Sequence, residues 1–122
     1  MTLITLDFSA STTVNLIIPA GVGGVITVTL TSGGQAVNLT GALIKYRAML
    51  SPVLDKAVDS GITLTDPTHG VFTITFAAGD TSNHTGIASV AHECRVKLAG
   101  GAPQMVFDGS LIISNGIIPN MT

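Results

Sequence analysis

The chain has 122 residues, a length that fits one domain able to bury a hydrophobic core without disulfide bonds or structural metals. Only 10% of its residues are charged, against about 25% in an ordinary soluble domain, while 46% are hydrophobic and the net charge is −2. The cations never cluster beyond an i, i+2 pair, which excludes the basic run of a nucleic-acid-binding protein and argues against contact with any acidic polymer. These cations are Lys45, Arg47, Lys56, Arg95 and Lys97.

The first third of the chain predicts three strands. Residues 2–8 alternate apolar residues with threonine, and residues 12–19 form a second apolar run that ends in a glycine-rich turn at residues 20–24. Residues 25–31 alternate most regularly, with aliphatic side chains on one face and mostly threonine on the other. Strand 2–8 is expected to act as an assembly arm that can be donated to a neighbouring subunit. Its apolar side chains are Leu3, Ile4, Leu6 and Phe8.

Residues 42–50 predict a strand with one solvent-facing side. In a strand, Lys45 and Arg47 fall on one face and the apolar residues fall on the other. A helix is the alternative, because Ala, Leu, Lys, Arg and Met all favour helices. The preceding Gly41 and the two-residue spacing of the charges favour the strand.

Residues 61–76 predict a β-hairpin. Asp66 and Pro67 begin its turn, where Asp66 is expected to accept backbone hydrogen bonds, and Gly70 supplies permissive backbone before the second strand. After the hairpin, Asp80 is expected to cap the next turn. These roles are structural.

Two long strands close the chain. Residues 87–98 alternate, with His92 and Cys94 on one face and Glu93 on the other, and residues 104–114 form the last strand. Asp108 and Gly109 are expected to form a bulge or corner in that last strand. The pattern of short strands separated by Gly, Pro, Asn and Asp turns predicts a β-sandwich or small barrel.

The expected architecture is therefore all-β: a single sandwich of about seven to nine strands with extended terminal segments. Residues 1–39 are expected to be N-terminal strands or an arm, packed on or exchanged into the sandwich. Residues 40–114 are expected to be the sandwich core, and residues 115–122 a C-terminal arm.

The densest group of reactive side chains is His92, Glu93 and Cys94. A zinc site would need ligands from the turns as well, and no CxxC or HxxxH spacing supports one. The turn residues that could approach are His69, His84, Asp66 and Asp80. A nucleophilic Cys94 would need a base and an electropositive pocket, neither of which the sequence indicates. We therefore expect no catalytic, metal-binding or cofactor-binding residue, and expect this group to be half-buried in a sheet.

From residue 39 onward the order of motifs resembles the Ig-like β-sandwich domain of phage baseplate upper proteins and related phage virion proteins. The matching segments are residues 39–41 (LTG), 61–66 (GITLTD), 70–76 (GVFTITF), 80–81 (DT), Gly86 and 109–113 (GSLII). In this outline Gly86 is the glycine of the turn before the long strand, although the aromatic residue that usually follows is replaced by Ile87 and Ala88. About the first 39 residues, up to the LTG segment, have no counterpart in the family.

The resemblance implies a non-enzymatic bacteriophage virion structural protein that assembles with itself and with other virion subunits, such as the major capsid or a tail or baseplate protein. Capsid decoration or a head-fibre base, and a tail or baseplate component, both remain open. The alternatives are a receptor- or carbohydrate-binding module of a tail fibre and a secreted Ig-like adhesion domain. Aromatic residues are only 4% of the chain, which argues against a sugar-stacking surface.

The expected location is the virion, after synthesis in the host bacterial cytoplasm. The N-terminus lacks the positive region of a signal peptide, and Pro19 with the glycines after it interrupts the longest apolar stretch, so neither export nor a bilayer span is expected. Cys94 is the single cysteine and excludes an intrachain disulfide. Neither a nucleic-acid partner nor a cofactor is expected.

Overall fold

The computed structural model describes residues 2–8, 12–19, 23–50, 53–81 and 88–114. Their regular secondary structure is almost entirely β-strand, which confirms the all-β class and the single domain. In chain order the strands are β1 Thr2–Asp7, β2 Thr12–Thr13, β3 Leu16–Pro19, β4 Gly24–Ser32, β5 Gln35–Ala36, β6 Leu43–Ala48, β7 Leu54–Val58, β8 Gly61–Asp66, β9 Val71–Phe76, β10 Ala88–Lys97 and β11 Pro103–Ser114. A 3₁₀ turn, Pro67–His69, joins β8 to β9, and one helical turn, α1 (Ala78–Thr81), follows β9.

Hydrogen bonds join the strands into one sheet with the order β1-β4-β9-β8-β7-β6-β10-β11-β2, in which β3 also pairs with β11 and β5 with β4. A sheet this wide and twisted curls, and here it closes on one core as a near-barrel. The eleven strands in the described residues exceed the seven to nine expected. One reason is that the predicted strand 12–19 is interrupted at residues 14–15, which divides it into β2 and β3.

Alternation along the strands explains why they pack this way. In β4, Ile26, Val28 and Leu30 are buried while the residues between them face outward, as the sequence predicts. In β6 every second side chain is buried and the cations lie outside, which confirms the strand and rejects the helical alternative. The predicted hairpin is also present as β8, the 3₁₀ turn and β9.

The core draws on strands from all parts of the sheet, on both sides of residue 39. Its largest members are Tyr46, Phe72, Phe76 and Phe107, each no more than 2% exposed. Full burial of one such side chain contributes about 1.5–3 kcal/mol to folding, so these rings are main determinants of stability.

The N-terminal strands occupy both edges of the sheet. β1 runs parallel to β4, from Thr2 opposite Ile26 to Asp7 opposite Thr31. β2 and β3 run parallel to β11 in one unchanged register, at the opposite end of the strand order. Because β1 also contacts β11, the two ends of the sheet approach each other and the near-barrel closes.

The predicted bulge in the last strand is displaced. Asp108 and Gly109 are regularly paired with Glu93 and His92, so the expectation of a bulge or corner there is wrong. The register instead shifts between Cys94 and Arg95, which leaves Val106 without a partner on β10. This bulge allows the consecutive residues Val106 and Phe107 both to be buried.

Candidate functional site

The hairpin turn is held by side-chain contacts and by one glycine. Asp66 lies in the turn as expected, but its carboxylate accepts hydrogen bonds from the side chains of His69 and Thr68 and makes no backbone cap. Gly70 has φ 74°, and a Cβ there would run into the carbonyl oxygen of Leu30. This position therefore requires glycine both for its backbone conformation and for the close approach of β4.

A second polar contact joins β7 to α1. Asp80 lies inside α1, and its carboxylate accepts a 2.8 Å hydrogen bond from the backbone N–H of Ala77, the residue just before that turn. The same oxygen, Oδ2, lies 2.8 Å from Nζ of Lys56, whose side chain is 13% exposed. The stem of Lys56 reaches this point by crossing over Gly61, where any Cβ would collide with it. Gly86, the other predicted turn residue, lies outside the described residues.

Residue 109 must be glycine because a distant part of the chain lies directly against its backbone. It lies within β11 with φ 145°, and a Cβ there would collide with the carbonyl oxygen of Val14. The Val14 N–H donates a 2.7 Å hydrogen bond to the carbonyl of Asp108, and the Asn15 side chain accepts a 3.0 Å hydrogen bond from the N–H of Ser110. Gly109 thus lets the segment between β2 and β3 lie against β11.

The carbonyl of Val14 is also the partner of the buried His92. Nε2 of His92 lies 2.6 Å from that oxygen, and Nδ1 lies 2.9 Å from the Tyr46 hydroxyl. Because a carbonyl only accepts hydrogen bonds, Nε2 carries the proton, and neutral Nδ1 accepts from the tyrosine. Phe107 packs against both rings. His92 therefore fastens the N-terminal segment to the core.

Burial determines the charge state of this group. Loss of solvent lowers the pKa of His92, opposed in part by its hydrogen bond to Val14 and by the charge of Asp108. Burial raises the pKa of the Tyr46 hydroxyl, with a further contribution from Cys94, so the phenol stays a donor at neutral pH. The network is a neutral, fully paired structural contact.

Cys94 is fully buried, and His92 is 3% exposed, so both are more deeply buried than the half-buried positions expected from the sequence. Burial, followed by the charge of Glu93, raises the pKa of the Cys94 thiol, which removes the thiolate that a nucleophile would need. In the described part of the chain, no group of three or more His, Cys, Asp or Glu side chains is placed to hold a metal ion. No helix among these residues is long and apolar enough to cross a membrane.

The predicted assembly arm is an integral strand of the sheet. Leu6 is buried in the core, and Ile4 and Phe8 are partly buried against it. Leu3 is 75% exposed and points outward beside Thr27 of β4. Donation of this strand to another subunit stays a prediction.

The outer face of β1, β4, β8 and β9, which we call the threonine face, is nearly uncharged. Cross-strand register aligns Leu3, Thr27, Thr73 and Thr63 in one row and Thr5, Thr29 and Val71 in the next. Val25, opposite Thr75, is 38% exposed. Its outward charged residues, Asp7 and Asp66, lie at strand ends. Short β-branched side chains lose little conformational entropy on burial, so such a face is suited to being covered.

The outer face of β6, β7 and β10, which we call the charged face, contrasts with it. Lys45 lies opposite Arg95, Arg47 lies between Asp55 and Glu93, and Lys97 lies opposite Leu43. Four of the five cations of the chain are therefore adjacent here. They border a shallow depression of about 540 Å³ that also includes Leu43 and Pro103.

Sequence reasoning missed this cluster because each cation pair looks isolated along the chain. The pairs at 45 and 47 and at 95 and 97 meet only because β6 and β10 are antiparallel neighbours with Lys45 opposite Arg95. The signal that could have indicated the cluster is the presence of two i, i+2 pairs of cations on two strands that can lie side by side.

Comparison with known proteins identifies the fold. No protein-family model and no curated protein sequence matches the chain. Among solved structures, it is similar to the N-terminal domain of phage TP901-1 ORF48, with 16% sequence identity and a TM-score of 0.56. The match covers 93% of this chain and 98% of that one. At this identity, the likeness establishes a shared fold along nearly the whole length.

Proposed function

We propose that this chain is a non-enzymatic structural domain of a bacteriophage virion, which assembles with copies of itself and with other virion proteins. The observation that carries the proposal is the fold, shared from end to end with a domain of a phage protein. The near-complete coverage of both chains matters because it matches the entire domain rather than a common substructure. Placement on the head, as decoration or fibre base, and placement in the tail are both compatible with this role.

The threonine face is the surface best suited to assembly. Covering it removes Leu3 and Val25 from water and desolvates hydroxyls rather than charges, which costs less than burying ions. β1 contacts β11, but in the described part of the chain it is paired as a strand with β4 alone, so its other edge can also take part in strand addition between subunits.

Two measurements on purified particles of the encoding phage test the role. Gold-labelled antibody against the chain should decorate either the head or the tail in electron micrographs. Mass spectrometry of the same particles should detect the chain in stoichiometric amounts. Particles that carry neither label nor peptide would refute the virion role.

The assembly surface is tested by two matched pairs of substitutions. Leu3→Lys with Val25→Lys places two cations on the threonine face at exposed positions, and should abolish incorporation into particles. Met49→Lys with Val53→Lys adds the same charge at exposed positions just after β6 and just before β7, and should leave incorporation intact. Circular dichroism of each purified variant verifies that it is folded. Equal incorporation of both would show that the threonine face is not the interface.

A further inference from the structure

Two cations of the charged face form no ion pair within the described residues. Arg47 makes a two-pronged contact with Asp55, at 2.6 and 3.4 Å, and Arg95 contacts Glu93 at 2.8 Å. The hydrogen bond to Asp55 and the nearby carboxylate charges raise the pKa of Arg47. Within the described residues, Lys45 and Lys97 have no carboxylate partner.

The free ammonium groups belong to diagonal neighbours. Lys45 on β6 lies opposite Arg95 on β10, and Lys97 lies two residues beyond Arg95 on β10. Lys45 and Lys97 are therefore diagonal neighbours across the two strands. Diagonal pairs of this type are separated by about 7–8 Å. An extended polypeptide places its side chains i and i+2 on one face at about 6.6–6.8 Å, so two carboxylates in an Xaa-Glu-Xaa-Glu pattern match the two lysines.

The rest of the face favours a polypeptide over a nucleic acid. Asp55 and Glu93 stand at one end of the depression and would repel a continuous phosphate backbone. At the other end, Leu43 and Pro103 flank Lys97 from the two neighbouring strands, and Leu43, which is 61% exposed, offers an apolar contact to a peptide side chain. The depression therefore combines two separate positive charges with an apolar end.

We propose that the charged face binds an extended acidic segment of a partner protein, with carboxylates on Lys45 and Lys97 and an apolar side chain against Leu43. The spacing of the cations along the sequence argued against contact with an acidic polymer, but strand pairing brings four of them together. The depression is therefore a local positive site on a chain with a net charge of −2. This inference does not depend on the virion role.

The test is fluorescence anisotropy with a labelled peptide of alternating glutamate and threonine that ends in leucine, at low ionic strength. The same peptide with glutamine in place of glutamate should not bind. Raising the salt to about 0.5 M should weaken binding, since the Debye length then falls to a few ångströms. Polyphosphate, as an unlabelled competitor, represents a phosphate polymer.

Lys45→Gln with Lys97→Gln should weaken peptide binding about 5- to 30-fold, which corresponds to two exposed ion pairs of about 0.5–1 kcal/mol each. Thr63→Glu with Thr75→Glu lowers the net charge by the same amount on the threonine face, and should change binding less than twofold. Absence of peptide binding, or equal effects of the two double variants, would overturn the proposal. Displacement by polyphosphate at lower concentrations than by unlabelled acidic peptide would also overturn it, because the site would then prefer phosphate.

Discussion

The two sides of the near-barrel bury a similar apolar interior beneath very different surfaces. The threonine side, β1, β4, β8 and β9, presents hydroxyls and methyl groups outward, and its buried side chains are all apolar. The charged side, β6, β7, β10 and β11, presents ion pairs outward and buries the Tyr46–His92 pair as well. The same strand periodicity thus supports one nearly uncharged outer surface and one charged outer surface.

The interiors of the two sides should lose stability for different reasons when their residues are substituted. On the threonine side, stability depends on the volume and contacts of aliphatic and aromatic groups, which tolerate conservative changes. On the charged side, His92 and Tyr46 must keep their partners, because an unpaired buried polar atom costs more than a paired one contributes. Mutations that change either the buried side-chain volume or a buried hydrogen bond, but not both, therefore test this difference between the two sides.

The largest effect is expected from a cavity on the threonine side. Phe72 is fully buried in β9, so Phe72→Ala should lower the free energy of unfolding by about 3–5 kcal/mol. Urea denaturation measures this change. Thr73→Ala, at the next position but facing outward, is the matched control and should cost less than about 1 kcal/mol. Similar losses for the two variants would contradict the assigned inward and outward faces.

A smaller loss is expected when the polar pair on the charged side is broken. Tyr46→Phe keeps the ring but removes the hydroxyl that donates to Nδ1 of His92, and should cost about 1–3 kcal/mol. Ile44→Val, on the same strand, removes one buried methyl group and serves as a volume control at about 0.5–1.5 kcal/mol. The two variants should also differ in pH dependence, because only Tyr46→Phe changes the environment of His92. A fully stable Tyr46→Phe variant would show that the hydrogen bond contributes nothing net.

The charged side should also give the protein a specific pH dependence. The folded-state pKa of His92 is below the unfolded value of about 6.5, so the unfolded chain takes up a proton first as the pH falls. Stability should therefore be complete above that pH and decline from there down to the folded-state pKa. Urea midpoints between pH 8 and pH 5 measure this slope, and His92→Gln should remove it while leaving the exposed His69 in place. Parallel profiles for the two proteins would rule out His92 as its source.

Local patterns were sufficient to predict much of this fold. The alternation around Ile26, the i, i+2 cations of β6 and the turn at Asp66–Gly70 each depend on residues close in sequence, and each predicted element is present. Features that depend on contacts between distant parts of the chain could not be predicted. Nothing near Val106 indicates a bulge, because the bulge is defined by register against β10.

The same limit applies to the candidate site. Gly109 was expected at a bulge or corner that is absent there; glycine is required at this position because of the carbonyl of Val14, which no local pattern reveals. The buried pairing of His92 with Tyr46, and the meeting of Lys45 with Arg95, likewise follow from strand order rather than from either strand alone. Sequence periodicity determines which face a residue occupies, whereas strand pairing determines what it meets there.

The smallest effect is expected from the ion pair that most clearly marks the charged face. Arg47 and Asp55 are 61% and 56% exposed, so water and salt screen their attraction despite the short contact. Asp55→Asn should therefore change the free energy of unfolding by less than about 1 kcal/mol at physiological salt. Asp80→Asn removes the partner of Lys56 at a far less exposed position and should cost more, which urea denaturation of the two variants compares directly. If Asp55→Asn were the more destabilising, the exposed pairs would be structural, and the charged face would have to be regarded as part of the framework rather than as a surface free to meet a partner.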